Sequence, residues 1–109
     1  MLRFLQKLIG IGPGVDVKAI MAKGGKLIDV RTPQEFALGH AKGAVNIPLQ
    51  SLSHNIGKIK KMRAPIIAYC RSGNRSGIAA EILRSKGIEA YNAGSLGAVN
   101  RQLAKPGNN

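Results

Sequence analysis

The sequence predicts an α/β domain, with a small parallel sheet of about five strands and helices on both of its faces. Short apolar segments typical of buried strands alternate along the chain with segments that carry helix signals. Strands that alternate with helices pair in parallel through right-handed crossovers. The chain has 109 residues and no internal repeat, which gives room for one compact domain.

Two of the predicted helices have clear start signals. Asp16 can cap a helix whose end is marked by Gly24 and Gly25. Thr32 precedes a proline at the first helical position, and Glu35 follows three residues later, which is the pattern of a capping box. Further helices are expected over 51–62, 75–86 and 96–103, and strands over 27–30, 44–47, 65–69 and 88–91.

Composition excludes several classes of protein. A hydrophobic share of 44% indicates a globular chain, and no apolar run approaches the roughly 20 residues that span a bilayer. One cysteine excludes an internal disulfide framework and a thiolate zinc cluster. The net charge of +12 attracts anions without identifying which anion.

The chain divides by composition into three parts. Residues 1–14 are expected to form an N-terminal arm, residues 15–104 the domain, and residues 105–109 a disordered tail. The arm is basic and apolar but lacks the long apolar centre and the cleavage site of a secretion signal. We therefore expect a cytoplasmic protein without stable membrane insertion.

Cys70 ends a predicted buried strand, and the loop after it can hold negative charge. Amides in a tight turn can converge on one point, and the next helix directs the positive end of its dipole there. Gly73 and Asn74 tolerate the positive φ that such a turn requires, and Arg71 and Arg75 add positive charge. These features should lower the pKa of Cys70 and make its thiolate a nucleophile.

Five segments together resemble the rhodanese-type sulfurtransferases. They are the Cys70 loop (residues 70–76) and, in the family's order, residues 27–36, 39–40, 43–49 and 92–94. The resemblance spans roughly residues 15–103. The sequence departs from the family's pattern near its end, where Ser95 replaces a usual glycine and Val99 a usual tryptophan. These departures concern the packing of the last helix.

The resemblance implies a function and a set of site residues. Cys70 would take a sulfur atom from thiosulfate or a persulfide donor, hold it as a persulfide, and pass it to an external thiol or cyanide. This chemistry needs no metal and no organic cofactor. The loop residues would cradle the outer sulfur; they are Arg71, Ser72, Gly73, Asn74, Arg75 and Ser76.

Two residues after the first predicted strand are candidates for a supporting role. Asp29 could pair with an arginine of the Cys70 loop or serve a local turn near Thr32. Arg31 could line the rim of the site or lie solvated on the surface. A basic run could dock an acidic protein that donates or accepts sulfur, or could be a solvated helix face; it comprises Lys58, Lys60, Lys61 and Arg63.

Three other functions remain open at this point. A phosphatase or arsenate reductase uses a similar thiolate, but typically places five residues between cysteine and arginine, whereas four stand between Cys70 and Arg75. A non-catalytic or persulfide-carrying binding module could keep the fold alone. The charge could serve nucleic acid, but stacking on bases favours exposed aromatic side chains, and the chain has only four aromatic residues. We expect no nucleic-acid partner.

Overall fold

The structure is a computed structural model that describes residues 15–104. The expected N-terminal arm and disordered tail lie outside these residues. Five α-helices, four strands and one 3-10 helix follow each other in the described part of the chain. In order they are α1 (Val17–Ala22), β1 (Lys26–Asp29), α2 (Pro33–Leu38), β2 (Val45–Asn46), the 3-10 helix (Leu49–Asn55), α3 (Ile56–Lys61), β3 (Ile66–Cys70), α4 (Asn74–Ser85), β4 (Ala90–Ser95) and α5 (Leu96–Ala104).

The four strands form one parallel sheet in the order β2-β1-β3-β4. The α/β architecture with a parallel sheet is confirmed, while the expected number of about five strands was one too high for residues 15–104. The order places β1 and β3 in the centre, so the carboxyl ends of both lie in the middle of one sheet edge. In parallel sheets this edge is where ligands bind.

Helices cover both faces of the sheet, as predicted. Side chains alternate along β3, so that Ile66, Ala68 and Cys70 enter one core cluster, with residues of α3 and α4. Ile67 and Tyr69 enter the other cluster, with residues of α1 and α5. All five residues of β3 are buried, which explains its continuous apolar sequence.

The start signals of the first two helices are confirmed in atomic detail. The Asp16 side chain accepts a hydrogen bond from the Ala19 amide. Thr32 and Glu35 form the complete capping box, in which each side chain accepts the other residue's backbone N–H. Pro33 occupies the first turn of α2. Local signals therefore fix the two segments on either side of β1.

Two elements differ from the sequence prediction. The expected helix over 51–62 begins as a 3-10 helix at Leu49 and becomes α-helical only at Ile56. The last strand was expected over 88–91 but runs from Ala90 to Ser95, because polar and small residues continue the pairing with β3. Sequence periodicity could not predict either difference, because contacts with the rest of the fold decide the form and the bounds of these two elements.

The unusual residues near the last helix fit the fold. Ser95 Oγ accepts a hydrogen bond from the Ala98 amide at 3.0 Å, so serine caps α5. Val99 has 0% exposed surface and packs in the second core cluster. Neither departure disturbs the packing of α5. None of the helices within residues 15–104 has the length and apolar character needed to cross a membrane.

Candidate active site

Cys70 is the last residue of the central strand β3, at the carboxyl edge of the sheet. Its side chain has 0% exposed surface and packs with the core cluster that contains Ile28 and Val30. The backbone then turns at once into α4, which begins at Asn74. The strand thus delivers the sulfur atom to the amino end of a twelve-residue helix.

Hydrogen-bond donors of the Cys70 loop surround the buried sulfur. The Gly73 amide lies 3.0 Å from Cys70 Sγ, and the Ser76 amide lies at 3.4 Å. The Ser76 hydroxyl oxygen is 3.3 Å from the same atom. Because two amides and a hydroxyl oxygen lie against the sulfur, the cysteine is not a purely apolar core residue despite its complete burial.

The pKa of Cys70 reflects a contest between burial and these donors. Burial has the largest effect and raises the pKa of the thiol. Hydrogen bonds from the Ser76 hydroxyl and from the amides of Ser76, Ser72 and Gly73 lower it, and together they prevail. The pKa of Cys70 therefore lies below its ordinary value, as the sequence predicted.

The shape of the loop depends on one glycine. Gly73 has φ +95°, and an added Cβ would lie 3.3 Å from Gly94 Cα. A side chain at this position would be strained and would press on neighbouring backbone. Asn74 was expected to share this left-handed conformation, but positive φ is not found there. Asn74 is instead the exposed first residue of α4.

The two arginines of the Cys70 loop have different surroundings. Arg75 forms a two-bond ion pair with Glu35 of α2, at 2.7 Å and 3.0 Å. Arg71 is exposed, and within the described part of the chain it has no ion-pair partner. The sequence predicted that both amides and arginines stabilise the thiolate. The amides and the Ser76 hydroxyl lower the pKa of Cys70, whereas the Arg75 guanidinium is paired with Glu35.

The expected supporting residues pair with each other. Asp29 is fully buried and accepts hydrogen bonds from the Arg31 amide and guanidinium, the shortest at 2.6 Å. Arg31 also donates to the Gly39 carbonyl oxygen and lies 5.8 Å from the centre of the Tyr69 ring. Asp29 therefore does not pair with an arginine of the Cys70 loop, and Arg31 is 7% exposed rather than solvated.

Asn92 belongs to the site, although it was predicted only as part of a segment that resembles the family. Its Oδ1 accepts hydrogen bonds from the Ser76 hydroxyl at 2.7 Å and the Gly94 amide at 3.0 Å. Its Nδ2 donates to the Gly73 carbonyl oxygen at 3.0 Å. Asn92 pairs with Ala68 of β3, just before a register irregularity between Ala68 and Cys70. An asparagine directly after the predicted strand 88–91 and two residues before Gly94 was the signal that could have identified it.

The basic run lies far from Cys70 along the sheet direction. Lys58, Lys60, Lys61 and Arg63 are all exposed. Lys60 and Arg63 line a cleft with Lys86 at the amino end of β3 and β4, whereas Cys70 is at the carboxyl end of β3. The basic run is therefore not part of the active-site surface.

Two clefts flank the Cys70 loop. One, of about 440 Å³, is lined by Ser72, Gly73 and Asn74 of the loop and by Ile78 and Asn92 among others. The other, of about 230 Å³, has Val30, Pro48 and Leu49 on its walls, with Arg75. Both lie at the carboxyl edge of the sheet, so a small molecule can approach the loop from either side.

The profile of the rhodanese-like domain matches residues 15–99. The chain belongs to the rhodanese-like domain family. This confirms the resemblance that the sequence motifs indicated, and the matched segment includes the whole Cys70 loop together with Asp29 and Asn92.

Two bacterial proteins are similar to part of the chain. Protein YqhL of Bacillus subtilis is 47% identical over 68 residues, which are 62% of this chain and 53% of YqhL. The thiosulfate sulfurtransferase PspE of Escherichia coli is 38% identical over 71 residues, which are 63% of this chain and 68% of PspE. The chain thus spans about half the length of the first relative and two thirds of the second.

A solved structure has the same architecture. The rhodanese of Escherichia coli determined with anions superposes with a TM-score of 0.63 and 34% sequence identity. The superposition covers 75% of this chain and 94% of that protein. The rhodanese-like domain of this chain is therefore similar to a rhodanese over nearly the whole of the latter's length.

Proposed function

We propose that this rhodanese-like domain is a sulfurtransferase in which Cys70 carries the transferred sulfur. The observation that carries the proposal is the convergence of the Gly73 and Ser76 donors on Cys70 Sγ. Hydrogen-bond donors that already lie around a sulfur atom stabilise its thiolate form. The relative named thiosulfate sulfurtransferase supports the same chemistry.

The reaction has two displacement steps. The Cys70 thiolate attacks the outer sulfur of thiosulfate, the sulfur–sulfur bond of the donor breaks, and sulfite leaves with the electron pair. An external thiolate or cyanide then attacks the outer sulfur of the persulfide, and the Cys70 thiolate leaves. Since Cys70 is the chain's single cysteine, no second thiol of the same chain can intercept the persulfide.

Burial of the sulfur adds a condition to this proposal. Cys70 has 0% exposed surface, so part of the loop must move before a donor can reach Sγ. Ser72, Asn74 and Arg71 are exposed, and the clefts on both sides give the loop room. Loop motions of this size are fast compared with ordinary enzyme turnover.

A turnover assay with two substrate classes tests the proposal. The wild type should form thiocyanate from thiosulfate and cyanide, and Cys70→Ser should reduce the rate at least roughly a thousandfold because the nucleophile is lost. An aryl phosphate is the contrasting substrate, since four residues between Cys70 and Arg75 make a small ring. Turnover of the phosphate without thiocyanate formation would replace the proposal with phosphatase activity.

A further inference from the structure

The Ser76 hydroxyl stands between two acceptors. Its oxygen is 2.7 Å from Asn92 Oδ1 and 3.3 Å from Cys70 Sγ. A serine hydroxyl carries one hydrogen and can donate only one such bond at a time. Ser76 is fully buried and Asn92 is 5% exposed, so water does not supply the missing donor in this arrangement.

The distances indicate where the hydrogen lies. A separation of 2.7 Å is typical of a good O–H···O hydrogen bond, so the hydroxyl is directed at Asn92. The contact between Ser76 Oγ and Cys70 Sγ then needs a hydrogen from the sulfur side. A protonated Cys70 supplies one, because a thiol is a weak donor and the hydroxyl oxygen has a free lone pair.

We propose that Asn92 is a positioning residue for Cys70, and that the Ser76 hydroxyl has two positions. It is directed at Asn92 Oδ1 while Cys70 is a thiol, and it turns to Sγ when Cys70 becomes a thiolate. The catalytic meaning of this inference rests on the proposed function, because it concerns the nucleophile of that reaction. Its test concerns the sulfur's proton and does not require sulfur transfer.

The surroundings of Asn92 are suited to this role. When the hydroxyl turns away, Oδ1 keeps the hydrogen bond from the Gly94 amide, so no buried acceptor is left alone. Nδ2 holds the Gly73 carbonyl, and the Gly73 amide is the closest donor to the sulfur. An added Cβ at Gly77 would lie 3.2 Å from Nδ2, so α4 has a glycine where Asn92 approaches it.

Ionisation of Cys70 therefore breaks the hydrogen bonds from the Ser76 hydroxyl to Asn92 and from the thiol to Ser76, and makes one from the Ser76 hydroxyl to the sulfur. The thiolate gains the Ser76 hydroxyl as a donor, and Asn92 loses it. Asn92 thereby stabilises the thiol form, and the loop amides stabilise the thiolate form. The balance of these two effects sets the pKa of Cys70.

The other charged groups near the sulfur are the same in the wild type, the Ser76 variant and the Asn92→Ala variant. Asp29 and Arg31 form one ion pair, and Glu35 and Arg75 form another. Burial raises the pKa of Tyr69 to about 12. The hydrogen bonds of the Ser76 and Asn92 side chains do not involve these groups. The sheet, the 3-10 helix, α3 and α4 carry further charged or titratable residues around Cys70. With the neighbouring Arg31, Glu35 and Arg71, these are Lys26, Asp29, His54, Lys58, Lys60, Lys61, Tyr69, Arg75, Glu81, Arg84 and Tyr91.

Titration of the thiolate in matched variants tests the proposal. The thiolate's ultraviolet absorbance is followed against pH, which requires no reagent to enter the buried site. Asn92→Ala removes the competing acceptor and should lower the pKa of Cys70, whereas Asn92→Asp keeps an acceptor, adds negative charge and should raise it. Ser76→Ala should raise it, each shift being roughly half to one pH unit. In Ser76→Ala, the further change Asn92→Ala should have no effect.

Opposite shifts of the Cys70 pKa in the two Asn92 variants distinguish the proposed role of Asn92 from a purely structural one. A side chain that only held the loop would raise the pKa when replaced by either residue, and that result would overturn the proposal. If the Asn92 variants do not fold, the infrared S–H stretching band still decides. At acidic pH it should lie lower in the wild type than in Ser76→Ala, because the thiol donates a hydrogen bond; equal positions would overturn the proposal.

Sulfur uptake from thiosulfate is measured on the same samples. A wrong sign pattern with normal uptake would refute the two-position hydroxyl and leave the proposed function intact. The right sign pattern without uptake would support the hydroxyl and refute the proposed function.

Discussion

At the scale of single residues, two buried charges are stabilised by different means. The Cys70 thiolate is surrounded by amides and a hydroxyl, which carry partial charges and no counterion. Asp29 is stabilised by a full opposite charge, since Arg31 closes on it with three guanidinium contacts and one from its own amide. The amides and the hydroxyl leave the sulfur free to react, whereas the ion pair with Arg31 holds Asp29 in place. Asp29 therefore has a structural role in the site.

Replacing Asp29 tests that assignment. Asp29→Asn leaves the Arg31 cation 7% exposed without its counterion, and should lower the free energy of unfolding by about 3–5 kcal/mol. Urea denaturation measures the loss. Glu81→Gln is the control, because Glu81 is an exposed carboxylate on α4. Equal stability of the two variants would contradict a buried ion pair at this position.

At the scale of elements, the sequence predicted what local signals determine. The capping box of α2, the buried strand β3 and the helix after Cys70 were all found within one or two residues. The contacts that complete the site were not predicted, because they join distant segments. Arg75 meets Glu35 across 40 residues of sequence, and Ser76 meets Asn92 across 16. Pattern and spacing carry no information on such pairs.

The link between α2 and the Cys70 loop predicts a pH dependence. The hydrogen bond from Arg75, and then that from the Thr32 amide, lower the pKa of Glu35 from 4.5 to about 2. A carboxyl with a lowered pKa stabilises the fold above its unfolded pKa, so this contribution is complete above about 4.5 and is lost as the pH falls towards 2.

Glu35→Gln should therefore be less stable than the wild type at neutral pH, by about 1 kcal/mol. For a domain of this size that lowers Tm by roughly 4–8 °C. The difference between the two proteins should vanish near the lower end of that pH window. Thermal unfolding followed by circular dichroism at several pH values measures it, with Glu81→Gln as the matched carboxylate. A difference that persists unchanged into strong acid would contradict the ion pair.

The two glycines that flank α4 provide a second test at this scale. Gly73 and Gly87 both have positive φ, but only Gly73 has backbone atoms close to the position of an added Cβ. Gly87→Ala should cost about 1–2 kcal/mol of stability and leave the Cys70 pKa unchanged. Gly73→Ala should cost more and should raise that pKa, because the Gly73 amide moves from the sulfur. Equal effects on the thiolate titration would contradict the loop geometry.

At the scale of the whole molecule, the net positive charge and the hydrogen-bond donors of the Cys70 loop act separately. The chain carries +12, yet Arg75 of the Cys70 loop is paired with Glu35, and part of the basic run lines a cleft at the opposite edge of the sheet. The overall field thus attracts anions to the protein, while the loop amides act at short range. These two effects respond differently to salt.

Two alkylating reagents of similar size separate these effects. Iodoacetate is an anion and iodoacetamide is neutral, so loop opening affects both rates alike, and only the charge differs. The ratio of the iodoacetate rate to the iodoacetamide rate should exceed the ratio for free cysteine by a factor of roughly 2 to 10 at low salt. It should fall towards the free-cysteine ratio as salt is added. A rate ratio that does not change with ionic strength would contradict attraction of the anionic reagent by the overall field.

The measurement that most directly tests the central claim is the intact mass of the protein after incubation with thiosulfate. The wild type should gain one sulfur atom, roughly 32 mass units, which reduction or cyanide removes, and Cys70→Ser should gain none. A wild-type protein of unchanged mass, or a Cys70→Ser protein that gains the same sulfur, would contradict the assignment of Cys70 as the sulfur carrier.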